Sequence, residues 1–227
     1  GGGLPQKYNG SGLSSRLGGS PPAASHVAAV AQRLILNVAD ASGTFQSTDA
    51  GEGNHETWPA INVVEAEARP DPLVAVADNT NELFAFGTRT LQIYVPENIT
   101  CGFVYNRTLN IGCGAKYSII PLDDAFVWMD EKRRFVLSNG RSAEVISAPH
   151  MASTVDAGFS DLGAIWGTRV RIGAFDLLLW ASSTDNRAFC YEMSTKKWSE
   201  WRSYGTQGWG DLVITSHVYW PEENVQL

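Results

Sequence analysis

Between Arg33 and Trp201 short apolar runs alternate with turn residues, the rhythm of antiparallel strands and not of helices. Residues 34–38 and 44–47 are predicted strands on either side of a turn at Ala41-Ser42-Gly43. Residues 83–86 are predicted to pair with 91–95 across Gly87-Thr88-Arg89-Thr90. Residues 125–129, 135–137 and 143–146 form a three-stranded run, and the Asn139-Gly140 step between its last two strands is the strongest hairpin signal in the chain. Residues 177–180, 188–191 and 198–201 form another such run. The first predicted strands of these groups begin near Leu34, Leu83, Ala125 and Leu177, with gaps of 49, 42 and 52 residues. Propeller blades recur at about 40–50 residues with up to four antiparallel strands each. Four such units fit the rhythm, and a blade's apolar face is covered by its neighbour. The expected fold is therefore all-β and β-propeller-like. Helical signals are poor. The best is 149–158, where Pro149 suits a first helical position but Ser153-Thr154-Val155 works against a stable helix.

Ahead of the strands, residues 1–25 are rich in Gly, Ser and Pro and end in Gly18-Gly19-Ser20-Pro21-Pro22. Such a stretch buries too little apolar area to offset chain ordering. It is expected to be an extended arm or loop ordered only by contact with neighbours, with residues 26–227 forming the propeller domain. The start at Gly1 lacks the charged and apolar regions of a signal peptide, and the chain reads as a portion of a longer polypeptide. No apolar run is long enough to span a bilayer as a helix, so no membrane partner is expected.

Composition sharpens this picture in three ways. With 44% hydrophobic and 18% charged residues a packed core is expected and disorder is excluded. Eight tryptophans lean the same way as the strand rhythm, because flat side chains pack well on a pleated surface. The net charge of −7 and the absence of any basic block longer than Lys132-Arg133-Arg134 leave no footprint for tight nucleic-acid binding. Cys101, Cys113 and Cys190 are odd in number and form no CxxC, so buried free thiols are expected in place of a disulfide framework or a zinc knuckle.

Candidate chemistry is sparse. His26, His55, His150 and His217 are scattered, with no two at metal-ligand spacing. The stretch 49–54 offers oxygen ligands without the spacing or flanking helices of a calcium loop. Asp123-Asp124 is a carboxylate pair at a strand entrance, where adjacent side chains diverge and a turn is expected. Gly112-Cys113-Gly114 is not followed by a helix pattern and gives Cys113 no base partner. N-x-S/T triplets at Asn9, Asn98 and Asn106 matter only in a secreted protein. No catalytic residue, cofactor or metal is assigned on this reading. The segment 191–198, a Tyr, a polar turn and then a Trp, is how kelch-type blades join two strands, and its aromatics are expected to pack between neighbouring sheets.

Residues 33–201 resemble the packaged-DNA stabilisation proteins of short-tailed bacteriophages, also called tail hub or tail accessory factors. The resemblance is carried by Arg33-Leu34-Ile35-Leu36, by Thr44-Phe45-Gln46-Ser47-Thr48-Asp49, by Trp58-Pro59 and by 66–76, which looks like the link into a following blade. Its most specific part is Leu83-Phe84-Ala85-Phe86-Gly87 with Leu91-Gln92-Ile93-Tyr94, running on into Asn110-Ile111-Gly112-Cys113-Gly114-Ala115-Lys116-Tyr117-Ser118 and then Ala125-Phe126-Val127-Trp128. The resemblance implies a non-enzymatic propeller body in a homo-hexameric ring of the virion tail, assembled in the host cytoplasm. That ring lies below the portal and its adaptor, continues the channel for double-stranded DNA without sequence-specific contact, helps retain the packaged genome and anchors fibres, spikes or a tail tip. The Gly/Ser-rich start and the lack of a visible ring-closing strand depart from the family pattern and leave the blade count open. An acidic lumen, motivated by the net charge of −7, would repel phosphate and let DNA slide. The competing readings are a kelch-like or carbohydrate-binding interaction propeller and a propeller enzyme such as a glycosidase. The latter needs two carboxylates converging on a central pocket.

Overall fold

The computed structural model of the chain describes residues 3–8, 10–11, 14–39, 43–51, 53–65, 71–98, 102–147, 149–182, 184–185, 187–205, 208–211, 219–220 and 225–226. Strands β1 (Gln6–Lys7) and β2 (Ser15–Arg16) form a small antiparallel hairpin at the start. Four antiparallel meanders follow. Sheet 1 holds β3 (Val27–Val30), β4 (Arg33–Asn37), β5 (Thr44–Ser47) and β6 (Val63–Glu65). Sheet 2 holds β7 (Leu73–Asn79), β8 (Glu82–Gly87), β9 (Leu91–Pro96) and β10 (Phe103–Leu109). Sheet 3 holds β11 (Ile120–Pro121), β12 (Phe126–Met129), β13 (Phe135–Ser138) and β14 (Ala143–Val145). Sheet 4 holds β15 (Ile165–Ile172), β16 (Phe175–Ser182), β17 (Arg187–Glu192), β18 (Lys197–Gly205) and β19 (Gly208–Asp211), and β20 (Tyr219–Trp220) pairs with β21 (Val225–Gln226). Every strand in each meander is bonded to its sequence neighbour.

The first strands of the four sheets start at residues 27, 73, 120 and 165, which are 46, 47 and 45 residues apart. The repeat is more regular than the sequence spacing, because the apolar runs that set that spacing fall at the second strand of each sheet. Those second strands carry the long apolar runs. In β8 and β9, Leu83–Phe86 and Leu91–Tyr94 are buried on both faces, so their hydrophobicity is continuous and legible. Strand β3 instead alternates, burying Ala28 and Val30 and exposing Val27 and Ala29. Strand β11 has two residues, and β7 occupies most of the described part of what read as a link between blades; residues 66–70 lie outside the described residues.

Turns follow local chemistry. Ala31 and Gln32 both take positive φ, 50° and 60°, and close a tight two-residue β3–β4 hairpin whose twist matches its strands. Asn139-Gly140 does mark a turn, with Gly140 at φ 81°. Ser138 pairs with Ala143, so four residues span it and not two. The weak helical signal at 149–158 is a real helix, α1 (Pro149–Gly158). Met151 and Val155, one turn apart, are buried in a core, so packing overrides the poor propensity of Ser153-Thr154-Val155.

The chain divides into two compact units: residues 1–113 with 140–142, and residues 114–139 with 143–227. Each unit pairs two sheets. In the first, Ala28, Val30, Ile35 and Phe45 of sheet 1 pack with Val76, Leu83, Tyr94 and Phe103 of sheet 2. Phe45 meets Tyr94 and Phe103 edge to face, with centroids 5.1 and 6.0 Å apart, the geometry ring quadrupoles prefer. In the second unit, Val127, Met129 and Phe135 of sheet 3 pack with Leu178, Trp180 and Phe189 of sheet 4, with α1 at the same core. Tyr191 and Trp198 are direct cross-strand partners in sheet 4. Trp198 stacks on Phe135 of sheet 3 at 4.8 Å, and its indole N–H donates to the Ile146 carbonyl at 3.1 Å. The aromatics of the kelch-like segment thus lie between neighbouring sheets, as expected.

Candidate functional site

In both units carboxylates hold turns. Asp71, just ahead of β7, is buried and aims its carboxylate into the β8–β9 turn. It accepts hydrogen bonds from the backbone N–H of Thr88 at 3.0 Å, of Arg89 at 2.8 Å and of Thr90 at 2.8 Å, and from the Thr88 and Thr90 hydroxyls. Burial pushes its pKa up, but the donors from Thr88, Arg89 and Thr90 outweigh that and hold it below the usual carboxylate value. In sheet 3, Asp130 does the same for the β12–β13 turn. It accepts from the N–H of Lys132 at 2.9 Å and of Arg134 at 2.7 Å, and pairs with the Arg134 guanidinium at 2.6 Å. In sheet 4, Asp185 accepts from Ser160 N–H at 3.0 Å, Ser160 Oγ at 2.5 Å and Ser182 Oγ at 2.8 Å. Burial raises its pKa, and these donors more than reverse the effect. A carboxylate saturated by fixed donors is a structural clamp.

The residues singled out in the sequence fall into place one by one. Gly112 and Gly114 are glycines because backbone passes close by: a Cβ on Gly112 would lie 2.1 Å from the Thr88 carbonyl oxygen, and one on Gly114 would lie 2.5 Å from that of Asp130. Cys113 between them is a buried free thiol whose N–H donates to the Gly87 carbonyl at 2.9 Å, and Cys190 is likewise free and buried; Cys101 lies outside the described residues. Asp123 is exposed and pairs with Arg169 at 3.3 Å and Arg171 at 3.7 Å, while Asp124 stays exposed in the same turn. Arg169 also forms a bidentate pair with Asp176, at 2.8 and 2.5 Å, which lowers the Asp176 pKa. Within 49–54, Asp49 accepts from the Asn62 amide at 3.0 Å; Glu52 lies outside the described residues. The basic run is consumed locally, with Arg134 on Asp130 and the Arg133 guanidinium donating to the Phe159 carbonyl at 2.8 Å. Asn98 and Asn106 are exposed; Asn9 lies outside the described residues. Among the described residues no group of three or more His, Cys, Asp or Glu side chains could hold a metal ion.

One cavity brings sequence-distant residues together. In the first unit a cleft of about 420 Å³ opens between the N-terminal hairpin and sheet 1. Leu17, Leu34, Leu36 and Trp58 give it an apolar floor, and His26 and His55 stand at its rim. His150 sits on α1 and His217 lies outside the described residues. The floor is positioned by Asn37, whose side-chain carbonyl accepts from the N–H groups of Ser25 and His26 at 3.1 and 2.8 Å and sets the entry into β3. The hairpin is fastened by Lys7, which pairs with Glu56 at 2.5 Å, and by Gly18 N–H, which donates to the same carboxylate at 3.1 Å. The Lys7 and Gly18 donors lower the Glu56 pKa. The Trp58 indole N–H is buried there with no hydrogen-bond acceptor. The sequence had marked Trp58 only by resemblance and had left His26 and His55 unconnected.

No protein-family model and no curated sequence matches the chain. Solved structures do. The Dos1 propeller matches with a TM-score of 0.50 at 10% identity, over 85% of this chain and 51% of that one. A protein from Lactobacillus plantarum matches with a TM-score of 0.52 at 12% identity, over 90% of this chain and 61% of that one. The fold is β-propeller-like. BamB from Moraxella catarrhalis is also similar, with a TM-score of 0.49 at 11% identity, over 82% of this chain and 54% of that one. At such identities the likeness concerns the fold alone. This propeller-like chain spans between about half and three-fifths of the length of these structures.

Proposed function

We propose that the chain is a non-enzymatic structural subunit of the tail of a short-tailed bacteriophage, acting as a propeller-like interaction body in a ring around the DNA path. The observation that carries the structural half of this reading is the saturation of Asp71, Asp130 and Asp185 by backbone and hydroxyl donors. These three carboxylates are committed to holding turns. The tail assignment is supported by the resemblance of residues 33–201. The segments that carry it most specifically are the two central strands of sheet 2 and the glycine-flanked crossing at 112–114. A ring arises from head-to-tail contacts whose rotation closes, and blade-like sheets packed face to face provide rigid surfaces for such contacts. The net charge of −7 favours a lumen that repels phosphate.

Negative-stain electron microscopy and mass photometry of the purified chain test the proposal. Hexameric rings with an axial channel are the expected result, and a ring whose lumen is strongly basic would refute the sliding argument. A kelch-like or carbohydrate-binding module is the second reading, favoured by the tryptophan-floored cleft. A monomer that binds oligosaccharides in a glycan screen, and loses them on Trp58→Ala, would replace the first reading with the second.

A further inference from the structure

We propose that the N-terminal hairpin is an exchangeable arm, which docks on sheet 1 of a second copy of this chain and ties adjacent subunits together. The inference rests on the ring proposed above and names one of its fastenings.

Among the described residues, the hairpin's attachments to sheet 1 and its flanking turn are few and separable. Gly3 and Ala24 exchange two backbone hydrogen bonds, at 3.1 and 2.9 Å. Lys7 and Gly18 N–H converge on Glu56. Leu17 is the apolar plug, buried with Leu36 and Trp58. Between plug and body runs Gly18-Gly19-Ser20-Pro21-Pro22. Gly19 takes φ 75° and Ser20 takes φ 59°, the left-handed region, which a serine adopts at a strain cost. A Cβ on Gly19 would lie 1.5 Å from the Glu56 carbonyl oxygen, so the return of the chain onto its own sheet is tight. Folding the arm back also leaves defects. Leu4 and Tyr8 on the arm remain 45% and 64% exposed. An extended hinge relieves the backbone strain at Ser20 and lets the same contacts form on a neighbour, where Leu4 and Tyr8 gain a surface to cover them. Exchange of an identical element is a low-cost route to association, since every docking contact is already present in the monomer fold.

The test is a disulfide trap across the Gly3–Ala24 bridge. Hydrogen-bonded antiparallel partners have Cα atoms about 5.5 Å apart, within the span a disulfide bridges. The full chain carries Gly3→Cys and Ala24→Cys with Cys101→Ser, while Cys113 and Cys190 stay buried. After oxidation, a non-reducing denaturing gel is expected to show a ladder of covalent multimers, and mixing the two single variants is expected to give a covalent dimer. Rings on sizing combined with a monomer band, cross-linked internally or not at all, overturn the exchange and leave the ring standing. Monomers in both measurements take down both. Leu17→Ser provides an independent readout: ring dissociation is expected at about tenfold higher protein concentration, and an unchanged dissociation profile counts against the arm.

Discussion

At the residue scale, the chemistry of this chain is that of turns held by carboxylates, and Asp71 is the clearest case. Its five donors come from residues 88–90, 17–19 positions away. Asp71→Asn removes the charge and sets an amide N–H₂ against donors. A loss of about 2–3 kcal/mol is expected from the midpoint of urea unfolding. Because the folded pKa lies below the unfolded one, Asp71 contributes stability above the ordinary carboxylate range, near pH 4, and that contribution is lost as pH falls through the folded value. The Asn variant should therefore show a flatter decline below about pH 4, measured as unfolding free energy against pH. Cys190 makes a second residue-level test. Burial raises its pKa to about 11, so at pH 8 iodoacetamide should leave it unmodified in the native protein and alkylate it in urea, as read by peptide mass spectrometry. The buried thiol at Cys190 is legible in the sequence, whereas the Asp71 clamp is not. An Asp before a strand looks the same whether it caps a distant turn or faces water, and His26 and His55 are 29 positions apart along the chain.

At the element scale, local pattern marked the strands buried on both faces, and also the alternating β5 and the exposed β14, but not the strand that opens each sheet. The runs around Leu34, Leu83, Phe126 and Leu178 were readable because continuous hydrophobicity marks central strands. The first strand of every sheet was missed, since β3 is small and alternating, β11 is two residues long and β15 interleaves Arg169 and Arg171 with its apolar positions. The kelch-like segment foretold an aromatic contact between sheets but not its partners. Phe135, Trp180 and Trp198 form one stack, with Phe135–Trp180 centroids 4.3 Å apart and Trp180–Trp198 centroids 5.6 Å apart. Trp198→Ala should cost about 2–3 kcal/mol, below the full cavity cost of a buried Trp because the ring is only half-buried, through lost ring packing and the loss of a bond to Ile146. Hydrogen exchange should show the loss in the β12–β13 and β16–β18 amides, which belong to one unit.

At the scale of the whole molecule, the repeat is the governing feature. A sheet recurs every 45–47 residues, and each unit buries one sheet face against the next. A sheet with two apolar faces cannot be stable alone, so association of such surfaces is the natural extension of the fold. Mass photometry across a dilution series should show one dominant ring species, and a strictly monomeric chain at micromolar concentration would exclude the ring. By itself the sequence determined the all-β class, the period and the strands at the centre of each sheet, because hydrophobicity repeating along the chain is a local signal. Only the tertiary structure decided which carboxylates clamp which turns, which aromatic rings meet and where the arm lies. Those contacts join residues far apart in the chain, and their energy depends on the distance and angle between groups, which no local pattern encodes.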